Sequence, residues 1–215
     1  MGRNLFAEGL GTFFLLVGVV GSGIMGESLA AGNTAVALLA NAVATGCVLY
    51  VLITTLGPVS GARFNPAVTL AFLARREIAP RLAAAYVAVQ CGAAILGVWA
   101  AHLMFDLSML QLSATGRSGP GQWLSEVIAT FGLLFVIFGG LRHRADAVPA
   151  LVAFYITGAY WFTSSTSFAN PAVTLARGLT DTFAGIAPQN VPAFIAMQLL
   201  AVGLGAVILP RLFRN

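Results

Sequence analysis

The chain has 215 residues, of which 59% are hydrophobic and only 8% charged, with a formal net charge of +4. An ordinary soluble domain carries about 25% charged residues to cover its hydrated surface, so eleven basic and seven acidic side chains leave lipid as the outer solvent and exclude a soluble globular domain, a disordered chain and a disulfide scaffold. The basic residues are all arginines, scattered singly or in pairs between apolar runs, without the aromatic-interleaved basic stripe of a nucleic-acid-binding surface.

A membrane-spanning helix needs roughly 20 mostly apolar residues, and six such runs follow in order. The first covers about residues 5–25 and contains Glu8, the second covers about 35–57 with Thr45 and Cys47, and the third covers about 82–105 with Gln90 and Cys91. The fourth, about 123–141, contains Glu126; the fifth is about 147–166; the sixth, about 191–212, contains Gln198. Arg3 before the first run and Ser28-Leu29-Ala30 after it imitate a secretory signal. A carboxylate inside the run, and the recurrence of its surroundings at Glu126, identify a retained span instead.

Six spans put both termini on one side of the membrane. With the termini inside, Arg3, Arg63, Arg75, Arg76, Arg81, Arg142, Arg144, Arg211 and Arg214 are cytoplasmic, and only Arg117 and Arg177 lie outside. Positive residues favour the cytoplasmic side, so the expected topology has both termini in the cytoplasm.

The heptapeptide Asn65-Pro66-Ala67-Val68-Thr69-Leu70-Ala71 returns letter for letter at Asn170-Pro171-Ala172-Val173-Thr174-Leu175-Ala176. Around it, Glu8 with Gly11-Thr12-Phe13 is echoed by Glu126 with Ala129-Thr130-Phe131, and Gln90 by Gln198. The chain is therefore one domain of two repeats, about 1–110 and 120–215. Each repeat holds three spans, an odd number, so the second enters the membrane from the opposite side and the repeat is inverted. Asn is a strong helix N-cap, and Pro suits the first helical position, so each heptapeptide starts a helix inside a connection between spans. The first such helix runs from about Pro66 to Leu73 and is stopped by Arg75 and Arg76. At 1.5 Å per residue that is about 12 Å, half a bilayer. Two half helices entering from opposite faces and meeting N-terminus to N-terminus make one further crossing. The fold expected is all-α, with six transmembrane helices and two re-entrant half helices in an inverted three-plus-three repeat.

Two Asn-Pro-Ala motifs in a six-span inverted repeat, with the Glu and Gln echoes, resemble the aquaporin and glycerol-facilitator channels, the major intrinsic proteins, over essentially the whole chain. Within that family the sequence looks most like bacterial metalloid channels associated with arsenic resistance. The resemblance implies passive conduction of small neutral solutes without a cofactor, in a homotetramer in the bacterial inner membrane with one pore per chain. Facing helix N-termini place about half a positive charge each at the pore centre, which opposes cations. The amides of Asn65 and Asn170 can hydrogen-bond a passing molecule and interrupt a proton relay along a file of waters.

Gapless alignment from each motif places Thr45, Gly158, Ser167 and Val173 at the narrow outer constriction. Nearly all members of the family place Arg directly after the second Asn-Pro-Ala, where this chain has Val173. Without it the opening is expected to be wider and less polar, admitting arsenite as neutral As(OH)3, methylated arsenicals, antimonite, glycerol and water.

Glu8 and Glu126 lie inside spans, which raises the question of a proton relay, but no His or Lys accompanies them, and support of the half-helix connections is the favoured reading. The resemblance implies the same. Cys47 lies two residues from Thr45, about 200° around a helix, and both cysteines read as packing residues. His102 and His143 are too isolated for a metal site. Arg177 lies one turn beyond Val173 on the same helix face and reads either as a charge at the outer mouth or, the favoured reading, as an interfacial snorkelling residue. Arg63 is either a vestibule charge or a loop anchor. Small residues at Ala84, Ala88 and Gly92, at Ala93, Gly97 and Ala101, and at Ala201 and Gly205 mark close helix packing. The rival reading is a secondary active transporter, which also uses inverted repeats but needs ionisable coupling groups at the midplane. An enzyme is not expected, because no activated nucleophile or metal-ligand constellation is present.

Overall fold

The computed structural model describes residues 1–213, so Arg214, the last of the expected cytoplasmic arginines, lies outside the described residues. Its helices are α1 (Gly2–Leu29), α2 (Thr34–Ser60), α3 (Pro66–Ala74), α4 (Pro80–Met104), α5 (Pro120–His143), α6 (Val148–Phe162), α7 (Pro171–Arg177) and α8 (Val191–Leu212), with short 3-10 turns at Ala145–Ala147 and Pro188–Asn190. Six of these elements are long and apolar enough to cross a membrane, and the described residues contain no strand. The two short ones, α3 and α7, are the helices that begin at the repeated heptapeptide.

The burial pattern is that of a protein solvated by lipid. Phe6, Phe154 and Val207 point outward at 71%, 77% and 57% exposure, while Glu8, Gln90, Glu126 and Gln198 are each 0% exposed. Backbone groups inside an apolar medium must be satisfied internally, and these interior polar side chains serve the connections that the helices leave open.

One apolar core runs through both repeats, from Leu15 and Val68 to Leu133, Val173 and Leu209. In the first repeat α1 packs on α2 and α4; in the second α5 packs on α6 and α8. The halves join through α2 against α6, and each half helix packs on both α4 and α8, so both repeats share it. At the α2–α6 join, Gly46 leaves room for the Thr157 hydroxyl, whose Oγ1 donates to Ala153 O at 2.8 Å. On α4, a methyl group added at Gly97 would stand 2.5 Å from the Phe13 carbonyl oxygen. Gly97, Ala101, Ala201 and Gly205 thus lie within the bundle, whereas Ala84, Ala88 and Gly92 face outward.

The largest departures from the expected spans are in the first and the fifth. The first helix is longer, starting at Gly2 and ending at Leu29. The fifth stops at Phe162 rather than 166, because Thr163 turns extended and Thr166, Ser167 and Ala169 adopt left-handed φ values of 61°, 51° and 47°. Five consecutive Ser and Thr side chains at 163–167 offer the backbone alternatives to helix.

Candidate channel pore

Each half helix begins with its own cap. Asn65 Oδ1 accepts from Ala67 N at 2.8 Å, and Asn170 Oδ1 accepts from Ala172 N at 3.0 Å and Val173 N at 3.3 Å. With the side-chain oxygen turned back onto its own helix, each Nδ2 points at the opposite motif. Asn65 Nδ2 donates to Ala169 O at 2.7 Å, and Asn170 Nδ2 donates to Phe64 O at 2.9 Å. The two motifs therefore meet N-terminus to N-terminus and are stitched by reciprocal bonds. Each amide nitrogen has a second hydrogen, and both asparagines line the central cavity.

The connections leading into the half helices contain L-residues in left-handed conformations, Ala62 and Phe64 before the first and Thr166, Ser167 and Ala169 before the second. Such residues cost about 1–3 kcal/mol each and persist only when their surroundings over-determine them. Here the glutamates supply that restraint. Glu8 accepts from Ser60 Oγ at 2.7 Å, Arg63 N at 3.0 Å, Phe64 N at 2.8 Å and Gln90 Nε2 at 2.8 Å. Glu126 repeats the set with Ser165 Oγ at 2.6 Å, Phe168 N at 2.9 Å, Ala169 N at 2.9 Å and Gln198 Nε2 at 2.6 Å. The glutamines continue the chain onto the half helices, Gln90 donating to Thr69 Oγ1 at 3.0 Å and Gln198 to Thr174 Oγ1 at 2.8 Å. Neither carboxylate lines the cavity.

That cavity has a volume of about 220 Å³ and runs past both motifs, with α2, α5 and α6 forming much of the remaining wall. Thr45, Ser167 and Val173 line it. Gly158 is not among the lining residues, whereas Tyr160, two residues further along α6, is. The reason is helical geometry: Val148, Val152, Ile156 and Tyr160 repeat every four residues along the cavity face of α6, and Gly158 lies two residues off that row, about 200° around the helix. A methyl group at Gly158 would meet only the Phe162 ring, at 3.8 Å. The four-residue spacing was available in the sequence as the signal for Tyr160.

Thr45 Oγ1 and the Tyr160 hydroxyl are 3.3 Å apart, whereas Ser167 Oγ is buried without a partner. Val173 is 6% exposed and presents only methyl groups. This part of the cavity wall thus combines hydroxyl-bearing side chains with an apolar one.

Arg177 departs from its snorkelling expectation. It is 2% exposed, it lines the cavity, and its Nε donates to the Ala184 carbonyl with the guanidinium 3.4 Å from the Phe168 ring centroid. The second outer arginine, Arg117, also lies over Phe168, at 5.2 Å, but is held in the loop by bonds from Nε to Gly185 O at 2.7 Å and from Nη1 to Ser165 O at 3.4 Å. Burial pushes the Arg117 guanidinium below its ordinary pKa. Arg63 meets both of its readings, lining the cavity while donating from Nη1 to Ser60 O at 3.0 Å and lying 4.5 Å from the Phe72 ring centroid.

Cys47 is exposed on the outer surface and Cys91 half-buried; neither lines the cavity. His102 is buried, its Nε2 2.8 Å from Thr180 Oγ1 and its Nδ1 3.1 Å from Met109 O, tying together the segments that follow α4 and α7. Among the described residues no three His, Cys, Asp or Glu side chains gather as metal ligands.

Residues 1–163 match the family described as Major intrinsic protein. The chain is 54% identical over 212 residues to aquaglyceroporin AqpS of Rhizobium meliloti (strain 1021), covering 99% of this chain and 89% of that one. It is 35% identical over 139 residues to Nodulin-26 of Glycine max, covering 64% of this chain and 50% of the plant protein. The fold is also that of the aquaglyceroporin from Plasmodium falciparum, with a TM-score of 0.69 at 17% identity over 98% of this chain and 94% of that one. Family match, near full-length relative and shared fold agree with the paired motifs at the cavity: the chain belongs to the major intrinsic protein family, as a multi-pass membrane channel for small solutes rather than an enzyme.

Proposed function

We propose that this channel passively conducts small uncharged solutes that carry hydroxyl groups, with arsenite as As(OH)3 and methylated arsenicals as its characteristic cargo and glycerol and water as further permeants. The observation that carries this reading is Val173 in the cavity wall directly after the second Asn-Pro-Ala. An apolar side chain there removes both bulk and a fixed charge from the constriction. Thr45 and Tyr160 offer hydroxyls to a solute in place of lost water, while Val173 and Ile156 tolerate an apolar face such as a methyl group. The Tyr160 ring makes the opening tighter than four small residues would, and it restricts the cargo to compact molecules. Similarity to a Rhizobium protein named an aquaglyceroporin supports the same solute class.

In this reading Asn65, Pro66, Ala67, Asn170, Pro171 and Ala172 form the pore centre, and Glu8 and Glu126 support the loops without touching cargo. The protein works as a homotetramer, one pore per chain, in a bacterial inner membrane with both termini in the cytoplasm, as the arginine distribution favours. The test is flux into proteoliposomes of arsenite, glycerol and water, with and without a proton gradient. Equilibration of all three irrespective of the gradient is expected. Gradient-driven accumulation of any solute would instead make the protein a secondary transporter, and exclusion of arsenite and glycerol would reduce it to a water channel.

A further inference from the structure

Arg177 is an unusual residue to find inside a membrane protein. A buried charge is expensive unless it is paired, and the described residues contain only two ion pairs, Arg75 with Glu77 and Arg144 with Asp146, neither involving Arg177. Its support comes from neutral groups: the Ala184 carbonyl at Nε and the π face of Phe168. Among the described residues no hydrogen bond engages Nη1 or Nη2, although neither is a sealed, unsatisfied atom. The free edge of the guanidinium therefore belongs to the cavity that Arg177 lines together with Val173, Ser167 and Phe168. Arg117 shows what a purely anchoring arginine looks like here, since it uses both Nε and Nη1 on loop carbonyls and does not line the cavity.

We infer that Arg177 is the cation barrier of this pore, a fixed charge set one helical turn beyond Val173 that excludes cations while leaving the constriction apolar. This rests on the channel reading above and adds to it the residue that keeps the pore selective for uncharged cargo. Val173 and Arg177 are four residues apart on α7 and so share a face, which both line the cavity. Splitting the two properties between them lets a solute meet a charge one helical turn away from the neutral wall at Val173. The Phe168 ring holds the guanidinium by a cation–π contact and adds no negative charge that would cancel the field. The facing N-termini of α3 and α7 contribute only partial charges, so on the second motif's side of the cavity Arg177 supplies a full charge, while Arg63 lines the cavity beside the first motif.

The experiment measures K⁺ conductance and glycerol flux in proteoliposomes for the parent, Arg177→Gln, Arg177→Met, Arg177→Lys and the double variant Val173→Arg/Arg177→Met, each at equal amounts of monodisperse protein. Removing a unit charge beside an ion's path in a medium between water and protein interior is expected to raise the ratio of K⁺ to glycerol permeability by about tenfold or more in both neutral variants. Arg177→Lys should stay near the parent ratio, and moving the charge one turn inward in the double variant should restore exclusion. A folded neutral variant with the parent's K⁺ to glycerol ratio overturns the proposal. So does loss of fold in both neutral variants with Arg177→Lys intact, which would assign the charge to structural support. If the parent itself carries no glycerol or arsenite, the channel's proposed cargo fails, and the K⁺ comparison still decides the role of Arg177.

Discussion

The hydroxyl of Tyr160 on α6 stands 3.3 Å from Thr45 Oγ1 on α2, joining the two repeats at the cavity wall. An aromatic ring closes a side that Gly158 would have left open, and its hydroxyl is drawn toward Thr45 while Ser167 Oγ stays unpartnered. In the proposed channel the pair limits how large a solute passes.

Tyr160→Ala is expected to raise arsenite and glycerol flux relative to water, because it removes the largest side chain from the constriction region. Gly158→Ala should change neither, since its new methyl group meets only the Phe162 ring at 3.8 Å. Stopped-flow water permeability alongside radiolabelled glycerol and arsenite uptake measures both. Equal effects from the two variants would return Gly158 to the constriction.

Val173→Arg and Thr45→Phe should each narrow the opening. Solute flux is expected to fall by about tenfold or more, an added barrier of at least about 1.4 kcal/mol, with a much smaller loss of water flux. The arginine also brings fixed donors and charge into a desolvated position. Uptake of the larger solutes at parental rates by both variants would place the selective narrowing elsewhere along the cavity.

Glu8→Ala and Glu126→Ala each strip four donors of their acceptor. A buried donor left unsatisfied costs about 1–3 kcal/mol, so each variant should lose several kcal/mol, seen as a lower thermal midpoint in detergent and a lower yield. Selectivity per folded channel should change far less. Altered proton flux in well-folded Glu8→Ala protein would revive the relay role.

Gly97→Ala should destabilise the bundle by about 1–3 kcal/mol, the range for overpacking a filled interior, because the added methyl group would press on the Phe13 carbonyl at 2.5 Å. Gly92→Ala on the same helix meets nothing within 4 Å and should be neutral or slightly stabilising through helix propensity. Thermal unfolding of the two single variants separates the buried stripe of α4 from the outward one.

Much of the architecture is local and repetitive, and for that reason it was legible in the residues alone. Apolar length specifies spans, the Asn-Pro start specifies a capped half helix, and a heptapeptide repeated after an odd number of crossings requires inversion; α3 and α7 begin at Pro66 and Pro171 as that argument demands. The recurrence of Glu8 and Gln90 as Glu126 and Gln198 was likewise visible as an echo, though the eight hydrogen bonds to the two carboxylates were not. What the tertiary structure decided is the direction of individual side chains where the chain leaves regular helix. α6 ends at Phe162, the connection after it runs through left-handed residues at 166, 167 and 169, and the row Val148, Val152, Ile156 and Tyr160 puts Tyr160 rather than Gly158 on the cavity. Arg177 shows the same limit: spacing placed it on the face of Val173, but whether its guanidinium reached water outside or turned into the cavity depended on Phe168 and the Ala184 carbonyl, contributed by segments flanking α7 on either side. Periodicity fixes which face a helical residue occupies; only the packing of neighbouring segments determines what that face meets.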